Sequence, residues 1–204
     1  MNTHTHLSAV ARLVLAAVFA TVSASCGGEL LRTGRSPVYL VITGIIATTG
    51  ASSAFLQSDV QSAGGAVFND NVTVNVLVER KNSTIGATPV NSVTLTRYRV
   101  NFRRTDGRNT PGTDVPYGFD GVLSTTISAG GSGGVSFAIV RHQMKLEPPL
   151  KNIAGFNDAG GRSISGLGFL ATIAEITIWG RDQNGNEVTA TGSIEVHFGD
   201  FADA

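Results

Sequence analysis

The sequence predicts an all-β protein built as a two-sheet antiparallel sandwich of about seven or eight strands. Composition is the first observation, since only 15% of the residues are charged and 25 of the 204 are glycine. That mixture suits short strands joined by glycine-rich turns. The second observation is a two-residue alternation of apolar and polar side chains in several separate segments, which is the period of a strand with one buried face.

The start of the chain predicts an export signal. A polar beginning that includes Arg12 precedes an apolar stretch over residues 13–22, and small residues follow at 23–25. The apolar stretch is too short to cross a bilayer as a helix. We therefore assign residues 1–25 to a cleaved signal peptide, 26–36 to a lipidated tether and 37–204 to a single domain, in line with the chain length.

Cys26 is the only cysteine, which excludes an intrachain disulfide and a cysteine-ligated zinc site. Its position directly after small residues 23–25 resembles the lipobox of bacterial lipoproteins, in which the cysteine sulfur receives diacylglycerol. That resemblance implies a lipid-anchored protein of the bacterial cell envelope, and Gly27 implies the outer membrane, because lipoproteins without Asp at that position commonly go there. Ser23 stands where that family usually has Leu. The alternative is therefore an ordinary signal peptide, which leaves a soluble periplasmic or secreted protein.

The first half of the domain predicts a series of strands. An apolar run over residues 37–50 is expected to form the first, and a short edge strand is expected within 54–60. Residues 71–80 show the clearest alternation, with every second position apolar and predicted to face the core. The core positions there are Val72, Val74, Val76 and Val78.

Residues 92–103 form the strand around which we organise the rest of the domain. Val93 and Leu95 occupy one phase of the alternation, whereas Tyr98 and the alternate apolar residues after it occupy the other. The extra residue of a β-bulge turns every later side chain to the opposite face. The sequence therefore predicts a bulge near residues 96–97.

Arginines dominate the outward face of this strand and continue into the following loop. The candidate anion-binding or partner-binding residues are Arg97, Arg99, Arg103, Arg104 and Arg108. A guanidinium group donates hydrogen bonds in a planar fork, which suits a lipid phosphate, an acidic glycan or an acidic protein face. The alternative is a solvent-facing strand whose arginines pair with Glu79 or Glu187 across the sheet.

The second half of the domain predicts two long loops and a closing hairpin. Residues 104–121 predict an ordered loop because they contain DG and PG turn signals and prolines. Strands are expected over 121–128 and 134–146, followed by a second loop over 150–168. The last two strands are joined at NGN, which is hairpin chemistry.

These segments together resemble bacterial immunoglobulin-like or fibronectin-III-like domains. The resemblance rests on VTLTRYRVNFRRTDG as an inner strand and on ITIWGRDQNGNEVTATGSIEV as the closing hairpin, and it covers residues 37–198. It implies an immunoglobulin-like sandwich. The chain departs from immunoglobulin domains because it has no paired cysteines, and because Trp179 lies near its end rather than in the central strand.

The sequence carries no pattern that predicts catalysis. Its only histidines after the signal segment are His142 and His197, both placed on predicted strands, and no nucleophile elbow or metal-binding histidine spacing appears. Oxygen-rich residues cluster at 182–187 and at 106–120, but Asp and Asn are what turns use, so we expect no metal there. We expect no enzyme and no cofactor. Without residues 1–25 the chain has 14 basic and 15 acidic groups, which favours no nucleic acid partner.

The function expected from these observations is that of a non-catalytic binding or interaction module. The module contacts the lipid bilayer through its anchor. With loops 104–121 and 150–168 it binds an envelope protein or a glycan, for example an acidic one. The alternative is a structural subunit of an envelope assembly or filament, built by strand addition at an exposed sheet edge. Discrete monomers under native conditions would argue against that alternative.

Overall fold

The computed structural model describes residues 34–48, 55–84, 86–153 and 168–201. Outside these residues lie the predicted signal peptide and Cys26. Most of the tether and most of the second long loop also lie outside them. Within them the chain forms eight strands, which confirms the all-β class. In chain order these are β1 (Val38–Ala47), β2 (Phe55–Asp59), β3 (Asp70–Arg80), β4 (Val93–Arg103), β5 (Phe119–Ile127), β6 (Ser132–Val140), β7 (Phe169–Asp182) and β8 (Glu187–Gly199).

The strands lie in two sheets, as predicted. One sheet has the order β1-β3-β6 and the other has the order β2-β8-β7-β4-β5. The core lies between them and is filled by the alternate apolar side chains of both inner faces. The four valines of β3 that the sequence predicts as core are fully buried.

The predicted bulge in β4 is confirmed. The register of β4 shifts between Leu95 and Arg97 against both of its neighbours, β5 and β7. Leu95 is buried before the shift and Tyr98 is buried after it, so the two apolar phases of the strand face the same core. Arg97 and the alternate residues after it consequently face solvent.

Two details differ from the sequence predictions. β2 pairs with β8 in the parallel direction, whereas the other pairs are antiparallel. β6 ends at Val140, and the segment expected to continue it forms a one-turn helix, α1 (His142–Lys145). The turn is fixed because the Asn69 side-chain oxygen accepts a hydrogen bond from the backbone N–H of His142, at 2.7 Å. His142 therefore lies on a helical turn and not on a strand.

The strand order is compatible with an immunoglobulin-like domain. The neighbours β8-β7-β4-β5 follow one another as strands G, F, C and C′ do in a variable-type immunoglobulin sheet. β1, β3 and β6 correspond in the same way to part of the opposite sheet. Short 3-10 turns occur in the connections, at Ala63–Gly65, Pro89–Asn91 and Leu150–Asn152.

The sandwich has two distinct ends, which we call the tether end and the loop end. At the tether end the chain enters β1, where the backbone N–H of Lys81 donates to the Pro37 carbonyl. The hydroxyl of Ser36 also donates to Asp182 at the end of β7, which places the entering segment beside the β7–β8 turn. The connections from β4 to β5 and from β6 to β7 leave the opposite end, the loop end.

None of the helices in the described ranges is long and apolar enough to cross a membrane.

Candidate functional site: the arginine strand and the loop end

The arginines of β4 all face solvent, as predicted, but they differ in what they contact. The Arg97 guanidinium lies over the ring of Trp179 on β7, with its central carbon 4.0 Å from the ring centroid. Trp179 therefore lies on the outer face of the sheet and is half-buried. Arg103 makes no ion pair or side-chain hydrogen bond within the described ranges.

Arg99 is the central member of the row, and its charge is offset by a neighbour on β5. Its guanidinium donates two hydrogen bonds of 2.7 Å to the two carboxylate oxygens of Asp120. These bonds from Arg99 are the main reason that the pKa of Asp120 is lowered. The sequence suggested Glu79 or Glu187 as partners. Instead, Glu79 is on the other sheet and Glu187 lies 4.0 Å from Arg181.

The β4–β5 connection is ordered, and its own hydrogen bonds hold it. Arg104 and Arg108 both bind the Asp106 carboxylate, and hydrogen bonding from Arg104 is the largest cause of a lowered Asp106 pKa. Asp114 accepts a hydrogen bond from the backbone N–H of Thr110 at 3.1 Å. These acidic side chains therefore serve the loop itself. No group of three or more potential metal ligands occurs among the residues that the structure describes.

The DQNGNE segment is a hairpin turn in which Asp182 supplies the hydrogen-bond acceptors. One of its oxygens accepts from the backbone N–H groups of Asn184 and Asn186, and the other accepts from the Asn186 side chain. Burial by itself raises the pKa of Asp182, but these hydrogen bonds and one from Ser36 outweigh it and leave the pKa lowered. The acidic group is thus committed to the turn.

A groove at the loop end combines residues from the β4–β5 loop with residues from α1. Its volume is about 450 Å³, and it is lined by Tyr117, Gly118, Phe119, Arg141, Gln143, Met144 and Glu147. The Arg141 guanidinium covers the Phe119 ring at 3.9 Å and donates to the Asp120 carbonyl at 2.8 Å. Tyr117 is 55% exposed. The volume lies within the range of about 300–1,000 Å³ that is usual for small-molecule clefts.

A second groove, of about 360 Å³, lies on the outer face of the five-stranded sheet near the same end. It is lined by Thr105, Ala171, Thr172, Ile173, Ser193, Ile194 and Glu195. The carboxylate oxygen of Glu195 also lies 2.7 Å from Nε2 of the His197 ring. That ring lies between the rings of Phe55 and Phe169. His197 is thus an outward-facing residue, as expected, but one that is packed by aromatic neighbours.

A buried ion pair, which was not predicted from the sequence, joins the loop-end elements. Lys145 of α1 is 2% exposed, and its ammonium lies 2.8 Å from the carboxylate of Asp70 at the start of β3. The same ammonium donates to the Asp59 carbonyl at the end of β2, and the Ser58 hydroxyl donates to Asp70 at 2.6 Å. A lysine is rarely so buried unless it is paired, so this pair anchors the helical turn to both sheets.

Exposed apolar side chains are concentrated at the loop end. Among the described residues, those exposed there are Ile46, Phe68, Tyr117, Leu146 and Phe169, whereas Tyr39 and Val90 lie toward the tether end and Val122 lies within β5. Exposed aromatic rings on loops held by a rigid scaffold are common in binding surfaces. No family model and no curated protein matches the chain.

Proposed function

We propose that this protein is a non-catalytic binding module with an immunoglobulin-like fold, held to a bacterial membrane by a lipid on Cys26. In this proposal the module binds an envelope protein or a glycan with its loop end. The observation that carries the proposal is the separation of the two ends. The strands between them are long, and the 11 residues of β4 alone extend about 35 Å at about 3.3 Å per residue.

Several features support a binding role for the loop end. The β4–β5 loop is held by internal hydrogen bonds, so it presents its side chains without a large cost of ordering. The exposed rings of Tyr117 and Phe169 lie on this side of the sandwich. Arg103, which makes no ion pair with a described acidic group, adds a contact for an anionic part of a partner at the end of β4.

The anchor is tested by labelling cells with a radioactive or clickable fatty acid. We expect the wild-type protein to take up the label and to sediment with membranes. A Cys26→Ser variant should lose both properties, because the hydroxyl of serine does not receive diacylglycerol from the enzyme that modifies the thiol. Equal labelling of the two proteins, or sedimentation without label, would reject the lipid anchor.

A further inference from the structure

We propose that the groove formed by Tyr117, Phe119, Arg141, Gln143 and Glu147 is a binding site for an uncharged glycan. This inference rests on the proposed binding function and adds the ligand class and the contact residues. A sugar ring has apolar C–H faces and a rim of hydroxyl groups. A site for it therefore needs a flat aromatic surface beside planar side chains that both donate and accept hydrogen bonds.

The aromatic surface is supplied by Tyr117, and its position is fixed. The ring lies directly against Gly112, so that a Cβ atom on Gly112 would overlap the tyrosine ring and hydroxyl. Gly112 also has a φ of +76°, which favours glycine at this position for a second reason. The hydroxyl end of the ring is therefore held against the loop, while 55% of the residue is exposed to solvent and available for stacking on a sugar.

Planar hydrogen-bonding groups stand on the other wall of the groove. Gln143 and Glu147 lie one turn apart on and just after α1, and both side chains are exposed. Within the described ranges neither makes a side-chain hydrogen bond. Arg141 is held in place by Phe119 and by the Asp120 carbonyl through one terminal nitrogen, which leaves its other N–H groups for a ligand. Amide, carboxylate and guanidinium groups each match a pair of neighbouring hydroxyls.

The charges of the groove favour an uncharged ligand over an acidic one. One cation, Arg141, and one anion, Glu147, line the same groove, so the formal charges of its lining sum to zero. An acidic polysaccharide or a phosphate would approach Glu147 unfavourably, whereas hydroxyl groups can use both residues. Site and anchor are also compatible, because the groove lies at the loop end, away from the segment that leads to Cys26.

The test is affinity electrophoresis of the purified protein in native gels that contain one polysaccharide each. The neutral probes are a β-1,3-glucan, a galactomannan and a water-soluble chitin derivative without charge, and the acidic probe is alginate. We expect retardation in at least one neutral gel. Tyr117→Ala should weaken that binding at least tenfold, and Gln143→Ala about threefold, whereas Tyr39→Ala serves as the matched control. Tyr39 is 44% exposed on β1 at the tether end, so its replacement should leave retardation unchanged.

The possible outcomes separate this inference from the proposed function. Retardation in no neutral gel, retardation in alginate alone, or equal loss in Tyr117→Ala and Tyr39→Ala would each overturn the glycan site. None of these results would affect the fatty-acid labelling, so the proposal of a lipid-anchored binding module would remain, without this ligand. Unfolding curves of both variants are the control for folding. Because both tyrosines are exposed, their replacement should change stability little, and any loss of retardation is then a loss of binding.

Discussion

At the scale of single residues, the clearest result is that charged side chains near the loop end have specific partners on other elements. Arg99 is offset by Asp120, and Lys145 is buried against Asp70. The two pairs differ in energetic weight. The Arg99 pair is exposed to water, where such pairs contribute little, whereas breaking a buried pair leaves an unpaired charge in the interior.

The buried pair gives a stability prediction. Lys145→Met leaves the Asp70 carboxylate buried with the Ser58 hydroxyl and without its cation, and we expect a loss of about 3–5 kcal/mol in the free energy of unfolding. The double variant Lys145→Met/Asp70→Leu removes both charges and should regain most of that loss. Urea unfolding at pH 7 measures both.

Arg99→Gln is the matched control, since it breaks a pair that is exposed, and it should change the unfolding midpoint little. A Lys145→Met protein as stable as the wild type would contradict the assigned role of this pair. So would a double variant that is less stable than Lys145→Met.

Residue-scale partners are also where prediction from sequence fell short. The outward direction of Arg97, Arg99 and Arg103 follows from alternation within one strand. Their partners Trp179 and Asp120 lie on other strands, and which strands are neighbours depends on the topology of the whole sheet. Lys145 was missed for a related reason: its segment was assigned to a strand, and nothing local indicates that Asp70 would lie beside it.

At the scale of elements, the bulge in β4 decides which side chains form the core. β4 lies between β5 and β7, and one extra residue near Thr96 brings the apolar positions on both sides of it to the same face. This feature was predictable, because the change of phase occurs within one short stretch of sequence. The parallel pairing of β2 with β8 was not, because alternation does not reveal the direction of a neighbouring strand.

Deletion of Thr96 tests the bulge directly. Thr96 is the residue that the pairing skips, because Leu95 and Arg97 pair with neighbouring residues of β7. Its deletion gives a regular strand in which the apolar residues and the arginines keep their faces, so we expect cooperative unfolding and near-ultraviolet circular dichroism to persist. Deletion of Arg99, which lies in the regular part of β4, is the matched comparison: it turns every residue on one side of the deletion to the opposite face and should abolish both signals. A Thr96 deletion that is as disruptive as the Arg99 deletion would refute the role assigned to the bulge.

At the scale of the whole molecule, the antiparallel sandwich separates the point of entry from the groove. The entering segment bonds to Lys81 and Asp182 at one end, while Tyr117 and α1 lie at the other. The two-sheet class and most strands were predictable from alternation. The proximity of the β4–β5 loop to α1 was not predictable from the sequence, because the arrangement of both sheets decides which loops lie at the same end.

The orientation of the anchored domain is the most direct test of this account. A fluorescent donor is attached to Ser83→Cys at the tether end or to Thr113→Cys at the loop end, and the acylated protein is placed in liposomes with acceptor-labelled headgroups. We predict strong energy transfer from position 83 and weak transfer from position 113. Equal transfer from both positions, or stronger transfer from position 113, would contradict the account, because the loop end would then face the membrane.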